Sequence, residues 1–218
     1  MCLVGNVEYY VYICRMLRIG ITSGIGCGKT TVVNKFIKLG VKGYMIDDRS
    51  KYLVNTNQDL RYSLTALFGT EVFSADGSYN TKLVSDLVFK DKPSLLRLTE
   101  MFGIYIDADY KQFLSDNKDE KYVLVESAYF YEYHMENWVD FMVGIDTSLD
   151  NRVVRIQGRN PNLSVDEIKQ RINAQMDQET KMNRCNFVLN NDDKVEDKEI
   201  LRLDFLFRKI NRMINKAH

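Results

Sequence analysis

The sequence predicts an α/β fold: a parallel five-stranded sheet flanked by helices, with an inserted helical lobe and a helical lid. Three observations predict it. Short apolar runs alternate with helical stretches along most of the chain. The first run opens onto a glycine-rich loop that leads straight into a helix. The 218 residues are 45% apolar and 28% charged, an ordinary globular composition with enough material for a core. That length suits one α/β domain with an inserted lobe, or two small ones.

The elements follow in order. Leu17 to Ile21 reads as the first strand. After the loop, Val32, Val33, Phe36, Ile37 and Leu39 form a helical apolar stripe, and Gly40 stands where that helix would close. Val41 to Asp47 reads as a second strand with Asp47 and Asp48 at its end. Between Arg49 and Lys118 no strand is expected. That stretch reads as helices around Leu60–Phe68, Lys82–Phe89 and Pro93 to about Leu114, with a turn at Ala75–Ser78. Tyr122–Glu126 and Trp138–Ile145 are the third and fourth strands. Asp166–Lys181 reads as one helix, with Ser164 as N-cap and Glu167 closing a capping box. Phe187–Leu189 is a fifth strand and Ile200–Ile214 a closing amphipathic helix.

Strands separated by helices imply crossover connections, and ligands in such sheets bind at the carboxyl ends of the strands. The expected organisation is a core from residues 16–55 and 119–218, with a lid at about 148–182. Residues 56–118 form an inserted helical lobe carried by the sheet. Residues 1–15 read as an extension without an assigned role; they lack the basic start of a signal peptide and the apolar length of a membrane span.

Thirty basic and thirty acidic residues balance to zero net charge, so nothing in the composition points to nucleic acid or an anionic membrane. The cysteines Cys2, Cys14, Cys27 and Cys185 show no metal-binding spacing, and the histidines are only His134 and His218. Free thiols in a reducing compartment are expected, hence a cytoplasmic protein.

Residues 23–31 read Ser-Gly-Ile-Gly-Cys-Gly-Lys-Thr-Thr. They follow the phosphate-binding pattern G-x-x-x-x-G-K-[ST], with Ser23 in place of the first glycine. The glycines let successive amides from Gly24, Ile25, Gly26, Cys27 and Gly28 through Thr31 converge on phosphate oxygens, helped by the helix dipole. Lys29 can reach the β- and γ-phosphates, and the Thr30 hydroxyl can ligate Mg²⁺. Serine at position 23 needs only a negative φ.

Other candidates keep two readings each. Asp47 can take the proton of an attacking hydroxyl or hold Mg²⁺ through water, or it can cap the helix that follows. Arg152, Arg155 and Arg159 share one helical face, as a phosphate-clamping lid or as a solvated basic surface. Glu126 can approach Mg²⁺, act as a cap or stand as a lone surface acid. Tyr129-Phe130-Tyr131-Glu132-Tyr133 reads as packing more than as a substrate pocket, and His134 as a surface residue.

Over nearly all of residues 17–215 the chain resembles the dephospho-CoA kinase family. The family's opening T-G-G-I-G-S-G-K-[ST]-T is similar to Thr22-Ser23-Gly24-Ile25-Gly26-Cys27-Gly28-Lys29-Thr30-Thr31, and its D-A-D to Met45-Ile46-Asp47. Phe68-Gly69, Asp76-Gly77 and Val88-Phe89 match further landmarks. Glu126-Ser127-Ala128-Tyr129-Phe130-Tyr131-Glu132 loosely follows D-x-P-L-L-F-E. Arg155 with Arg159-Asn160, Arg171 with Gln175, and Cys185 to Asn191 follow the lid and final-strand patterns. The departures lie in the acceptor lobe: Thr81 replaces an arginine, Thr99 a glutamate, and Gly103-Ile104 a His-Pro pair.

The resemblance implies a P-loop kinase-type fold using ATP and Mg²⁺ to phosphorylate the 3′-hydroxyl of dephospho-CoA. It implies Asp47 as base, Lys29 and Arg155 on the phosphoryl group, and Arg159 in support. The expected partner is a small molecule, dephospho-CoA or a nucleotide, with no nucleic acid or membrane, and the chain a monomer or weak homo-oligomer. Two other readings stand beside it: a nucleoside or deoxynucleoside monophosphate kinase on the same scaffold, and a non-catalytic nucleotide-binding protein.

Overall fold

The computed structural model describes residues 15–89 and 91–216. Expectations for residues 1–14, including Cys2 and Cys14, and for His218 lie outside that range. Five strands, β1 (Leu17–Thr22), β2 (Lys42–Met45), β3 (Tyr122–Glu126), β4 (Phe141–Asp146) and β5 (Phe187–Asn190), form one sheet in the order β2-β3-β1-β4-β5. All four pairings are parallel. From β1 the chain crosses toward β2, and from β4 it crosses the other way to β5. The crevice at the carboxyl end of β1 therefore opens at the reversal, where ligands of such sheets bind.

Helix α1 (Lys29–Lys38) joins β1 to β2. Helices α2 (Ile46–Thr56), α3 (Gln58–Phe68), α4 (Thr81–Phe89) and α5 (Lys92–Asp116) lie between β2 and β3. Between β4 and β5 run α6 (Leu149–Arg159), α7 (Val165–Asn173) and α8 (Gln178–Asn183), and α9 (Asp197–Ile214) ends the described chain.

The sheet has apolar packing on both faces. Every residue of β3 is buried, as a parallel strand covered on both sides requires. On one side Val33 and Phe36 of α1 and Leu203 and Phe207 of α9 meet Ile19, Ile21, Leu124 and Ile145. On the other, Tyr44, Val125 and Met142 meet Leu60, Leu64, Val84, Ile106, Tyr110 and Phe130. This second core fixes α2 and α5 against the sheet edge. Tyr44 donates from its hydroxyl to Asp109 at 2.8 Å, and the same carboxylate accepts from Arg49 of α2.

Four expectations need correcting. The second strand ends at Met45, so Asp47 lies in the first turn of α2 rather than at a strand end. Met45 occupies the cap position with no side-chain cap, so neither Asp47 nor Asp48 is the N-cap. The fourth strand begins at Phe141, because residues 136–138 form a 3₁₀ turn. There the Trp138 ring stacks on Tyr110, ring centres 4.8 Å apart, and its backbone carbonyl accepts a hydrogen bond from the Tyr110 hydroxyl at 2.9 Å.

The long helix predicted over 166–181 is two. The Ser164–Glu167 capping box starts α7, and Asp177 caps α8 by accepting from the Thr180 amide at 2.9 Å. Ile168, Ile172 and Met176 keep helical spacing through the break, so periodicity alone does not reveal it.

Candidate active site

The loop between β1 and α1 is held in a conformation that only glycine accepts comfortably at two points. Gly26 has φ +86° and Gly28 φ +87°, left-handed values that L side chains rarely adopt. Ser23 is not among the described residues with positive φ, and its hydroxyl donates to the Gly24 carbonyl at 3.1 Å. Serine is therefore accommodated at the first-glycine position. Gly28 is the N-cap of α1 and no side chain caps the helix. The first amides of α1 are thus left facing the loop, the arrangement that binds anions.

Several side chains fix the loop from outside. The Cys27 carbonyl accepts from Asn191 Nδ2 at 2.6 Å and from Thr147 Oγ1 at 3.2 Å. Arg152 is buried and donates from Nε to the Ile25 carbonyl at 2.9 Å. The amides of Gly24 and Ile25 donate to Gln178 Oε1 at 3.1 Å and to Gln175 Oε1 at 2.7 Å. Burial raises the Cys27 thiol above its ordinary pKa, so the cysteine is packing and not a nucleophile.

A cavity of about 230 Å³ lies over this loop. Ser23, Gly24, Ile25, Gly26, Gly28, Lys29 and Thr30 form its floor. Asp47, Ala128, Tyr129, Arg159 and Gln175 form the walls. Lys29 is paired with Glu126, the last residue of β3, with side-chain exposures of 12% and 6%. Burial draws the Lys29 ammonium down to about 8, opposed chiefly by the Asp47 carboxylate.

A second cavity of about 280 Å³ adjoins it between α2, α5 and the loop after β3. Leu98, Phe102, Ile106, Tyr133 and Met135 make it largely apolar. Asp47 and Tyr129 line both cavities. The aromatic stretch after β3 is therefore divided: Phe130 and Tyr131 are core residues, while Tyr129 and Tyr133 face the second cavity. His134 is exposed in a left-handed turn, φ 53°.

The structure gathers Lys29, Thr30, Asp47 and Arg159 at one cavity. Arg155 is not in its lining. Its guanidinium donates to the carbonyls of Asn191 at 2.6 Å and Asp192 at 3.1 Å. The three arginines of α6 are thus no solvated face, since Arg152 is buried. Gln178 and Thr147 carry no motif visible in the sequence. Gln175 and Asn191 fell within resembling segments, but nothing in their spacing assigned them to the loop.

Among the described residues no three His, Cys, Asp or Glu side chains cluster as a metal site. The oxygen donors at the cavity, the Thr30 hydroxyl and the Asp47 carboxylate, are hard ligands of the kind Mg²⁺ shares with phosphates and water. No described helix is long and apolar enough to cross a membrane.

A sequence model of the family described as dephospho-CoA kinase matches residues 17–197. A dephospho-CoA kinase of Bacteroides fragilis is 34% identical over 197 residues, covering 89% of this chain and 95% of the relative. One from Listeria innocua is 27% identical, covering 88% of this chain and 97% of the relative. Among solved structures, a Thermus thermophilus protein superposes with a TM-score of 0.77 at 26% identity, covering 88% of this chain and 97% of the other. The dephospho-CoA kinase from Campylobacter jejuni gives a TM-score of 0.65 at 23% identity, covering 89% and 98%, a likeness of fold.

Proposed function

This chain belongs to the dephospho-CoA kinase family, and we propose that it transfers the γ-phosphoryl group of ATP to the 3′-hydroxyl of dephospho-CoA. One observation carries the assignment of parts: the phosphate-loop cavity and the apolar cavity meet at Asp47 and Tyr129. A carboxylate at that junction lies between a nucleotide held on one side and an acceptor held on the other.

The roles follow from the placement. The amides of Gly26, Gly28, Lys29 and Thr30 cradle the triphosphate, those of Gly24 and Ile25 being taken by Gln178 and Gln175, and Lys29 offsets charge on the β- and γ-oxygens. The acceptor 3′-oxygen attacks the γ-phosphorus as the bond to the β–γ bridging oxygen breaks. Asp47 takes the hydroxyl proton, and ADP leaves. Arg159 meets the nucleotide from the cavity wall. Arg155 joins it by exchanging the neutral carbonyls of Asn191 and Asp192 for phosphate oxygens, which make stronger charge-assisted bonds. Thr30 would hold Mg²⁺, which when bound would neutralise phosphate charge.

The acceptor pocket supports the reading through Tyr129, Tyr133 and Phe102, which offer faces to a purine. Family membership does not favour a nucleoside monophosphate kinase or a non-catalytic protein. The working form is a cytoplasmic monomer or weak homo-oligomer acting on small molecules. The test is ADP release with Mg-ATP and a panel of dephospho-CoA and each nucleoside monophosphate. Turnover on dephospho-CoA is expected; turnover confined to a monophosphate would sink the proposal.

A further inference from the structure

Lys181 of α8 has no solvent-exposed surface, although it carries an ammonium. Full burial of a lysine is rare unless its charge and protons are answered. Here Nζ donates to the Ala128 carbonyl at 2.7 Å and to Glu132 Oε1 at 3.0 Å. Glu132 Oε1 also accepts from the Met176 amide at 3.0 Å, while its other oxygen, Oε2, is buried without a partner. Breaking such a pair from one side would leave the buried Lys181 ammonium without its countercharge. Lys181 and Glu132 thus hold one another in place.

What this pair joins gives it a use beyond packing. Ala128 and Tyr129 wall the phosphate-loop cavity, and Ser127, Tyr129 and Tyr133 wall the acceptor cavity. On the other side, Met176 and Lys181 bracket Gln178, and Gln175 precedes them. Those two glutamines take the amides of Ile25 and Gly24 in the phosphate loop. Gln178 also donates to the Ile145 carbonyl and to Asp146 at the end of β4. A continuous run of hydrogen bonds therefore links the phosphate loop, through residues 175–181, to the acceptor wall at 127–133.

We infer that the buried Lys181–Glu132 pair is a positioning device that docks the acceptor wall at 127–133 onto the segment gripping the phosphate loop, so that nucleotide and acceptor are aligned together. Neither residue lines the phosphate-loop cavity or the acceptor cavity. Their effect is exerted through Ala128 and Tyr129. Misplacement of a reacting group by about 1 Å can lower a rate by about a hundredfold, so a loosened wall acts on the acceptor more than on ATP.

The kinetic part of the inference rests on the proposed kinase activity; the structural part does not. Amide hydrogen exchange is followed in the full chain with and without a non-hydrolysable ATP analogue and Mg²⁺. In the unaltered protein the analogue should slow exchange at 24–31 and also at 127–133. In Lys181→Met the protection at 24–31 should persist and that at 127–133 should be lost. With dephospho-CoA as acceptor, the same variant should raise the acceptor KM at least tenfold while the ATP KM stays within about twofold.

Should Lys181→Met not fold, Glu132→Gln keeps the side-chain length and an oxygen for Met176, and is read the same way. Protection at 127–133 that is absent from the unaltered protein, or that survives in the variant, overturns the inference, as does an equal rise in both KM values. Absence of turnover on dephospho-CoA by the unaltered protein overturns the proposed activity and leaves the exchange result to decide the pair.

Discussion

Lys29 and Glu126 form a buried ion pair between the first residue of α1 and the last residue of β3. Glu126 is held rigidly, because β3 is hydrogen-bonded on both sides: Glu126 is in register with Ile21 of β1 and with Met45 of β2. Before nucleotide arrives, this carboxylate answers the lysine charge that will later face phosphate oxygens. Binding is then an exchange of anionic partners around a fixed ammonium.

Removing that carboxylate should destabilise the free protein and make it depend on nucleotide. Breaking a buried pair from one side costs about 3–5 kcal/mol, less whatever Lys29 recovers by losing its proton. In Glu126→Gln the melting temperature should fall without ligand, and Mg-ATP should restore more of it than it adds to the unaltered protein, because the triphosphate supplies the missing negative charge. Thermal denaturation with and without Mg-ATP reads this directly. An equal ligand-induced rise in both proteins would mean that Glu126 does not share Lys29 with the nucleotide.

The titration of Lys29 sets a pH dependence for binding. Burial lowers its pKa to about 8 in the free protein, and triphosphate beside the ammonium must raise it. The group is then more protonated when bound than when free, so binding takes up protons near pH 8 and weakens as pH rises through that value. Between about pH 7 and pH 9 the affinity for ATP should fall roughly tenfold. Calorimetry in buffers of different ionisation enthalpy should show net proton uptake at about pH 8; proton release would contradict the sign.

The parts of this site that were legible in the sequence are those built from consecutive residues. The phosphate loop is a local pattern, and the apolar runs that became β1, β3 and β5 are bounded by loops or charged breaks. What was not legible depends on contacts between distant segments. Gln178 lies 154 positions from Gly24, and Asn191 lies 164 from Cys27. Nothing in the local spacing of either residue announces the contact. The break between α7 and α8 was hidden for a related reason: apolar residues continue in helical phase while the Asp177 cap restarts the helix. The position of Asp47 was displaced by a single turn of chain, because β2 gives way to α2 without any intervening loop.

The arginines of α6 should separate by what they touch. Arg159 is exposed at the cavity wall, so Arg159→Ala should weaken ATP binding with little loss of stability. Arg155 spends its protons on carbonyls between β5 and α9. If it exchanges them for phosphate during transfer, Arg155→Ala lowers kcat by about 10- to 100-fold, as loss of a charge-stabilising donor does. A drop in melting temperature with kcat unchanged would confine Arg155 to bracing that loop. Steady-state kinetics and melting curves on the two variants give the answer.

Asp47 offers the sharpest division between chemistry and architecture. It lies in the first turn of α2, where a carboxylate gains from the helix dipole about 0.3–1 kcal/mol. It is also the only acidic side chain among those lining the phosphate-loop cavity and the acceptor cavity. Asp47→Asn keeps the size and most of the hydrogen bonding while removing the charge and the ability to take a proton. If Asp47 serves only the helix, the variant loses at most about 1 kcal/mol of stability and keeps its rate. If it accepts the proton of the acceptor hydroxyl, the same small stability change accompanies a fall in kcat of about 10²- to 10⁴-fold. ATP affinity should stay nearly unchanged, because Lys29, the loop amides and Arg159 remain. We expect the second outcome, measured as single-turnover phosphoryl transfer beside nucleotide binding on the same preparation.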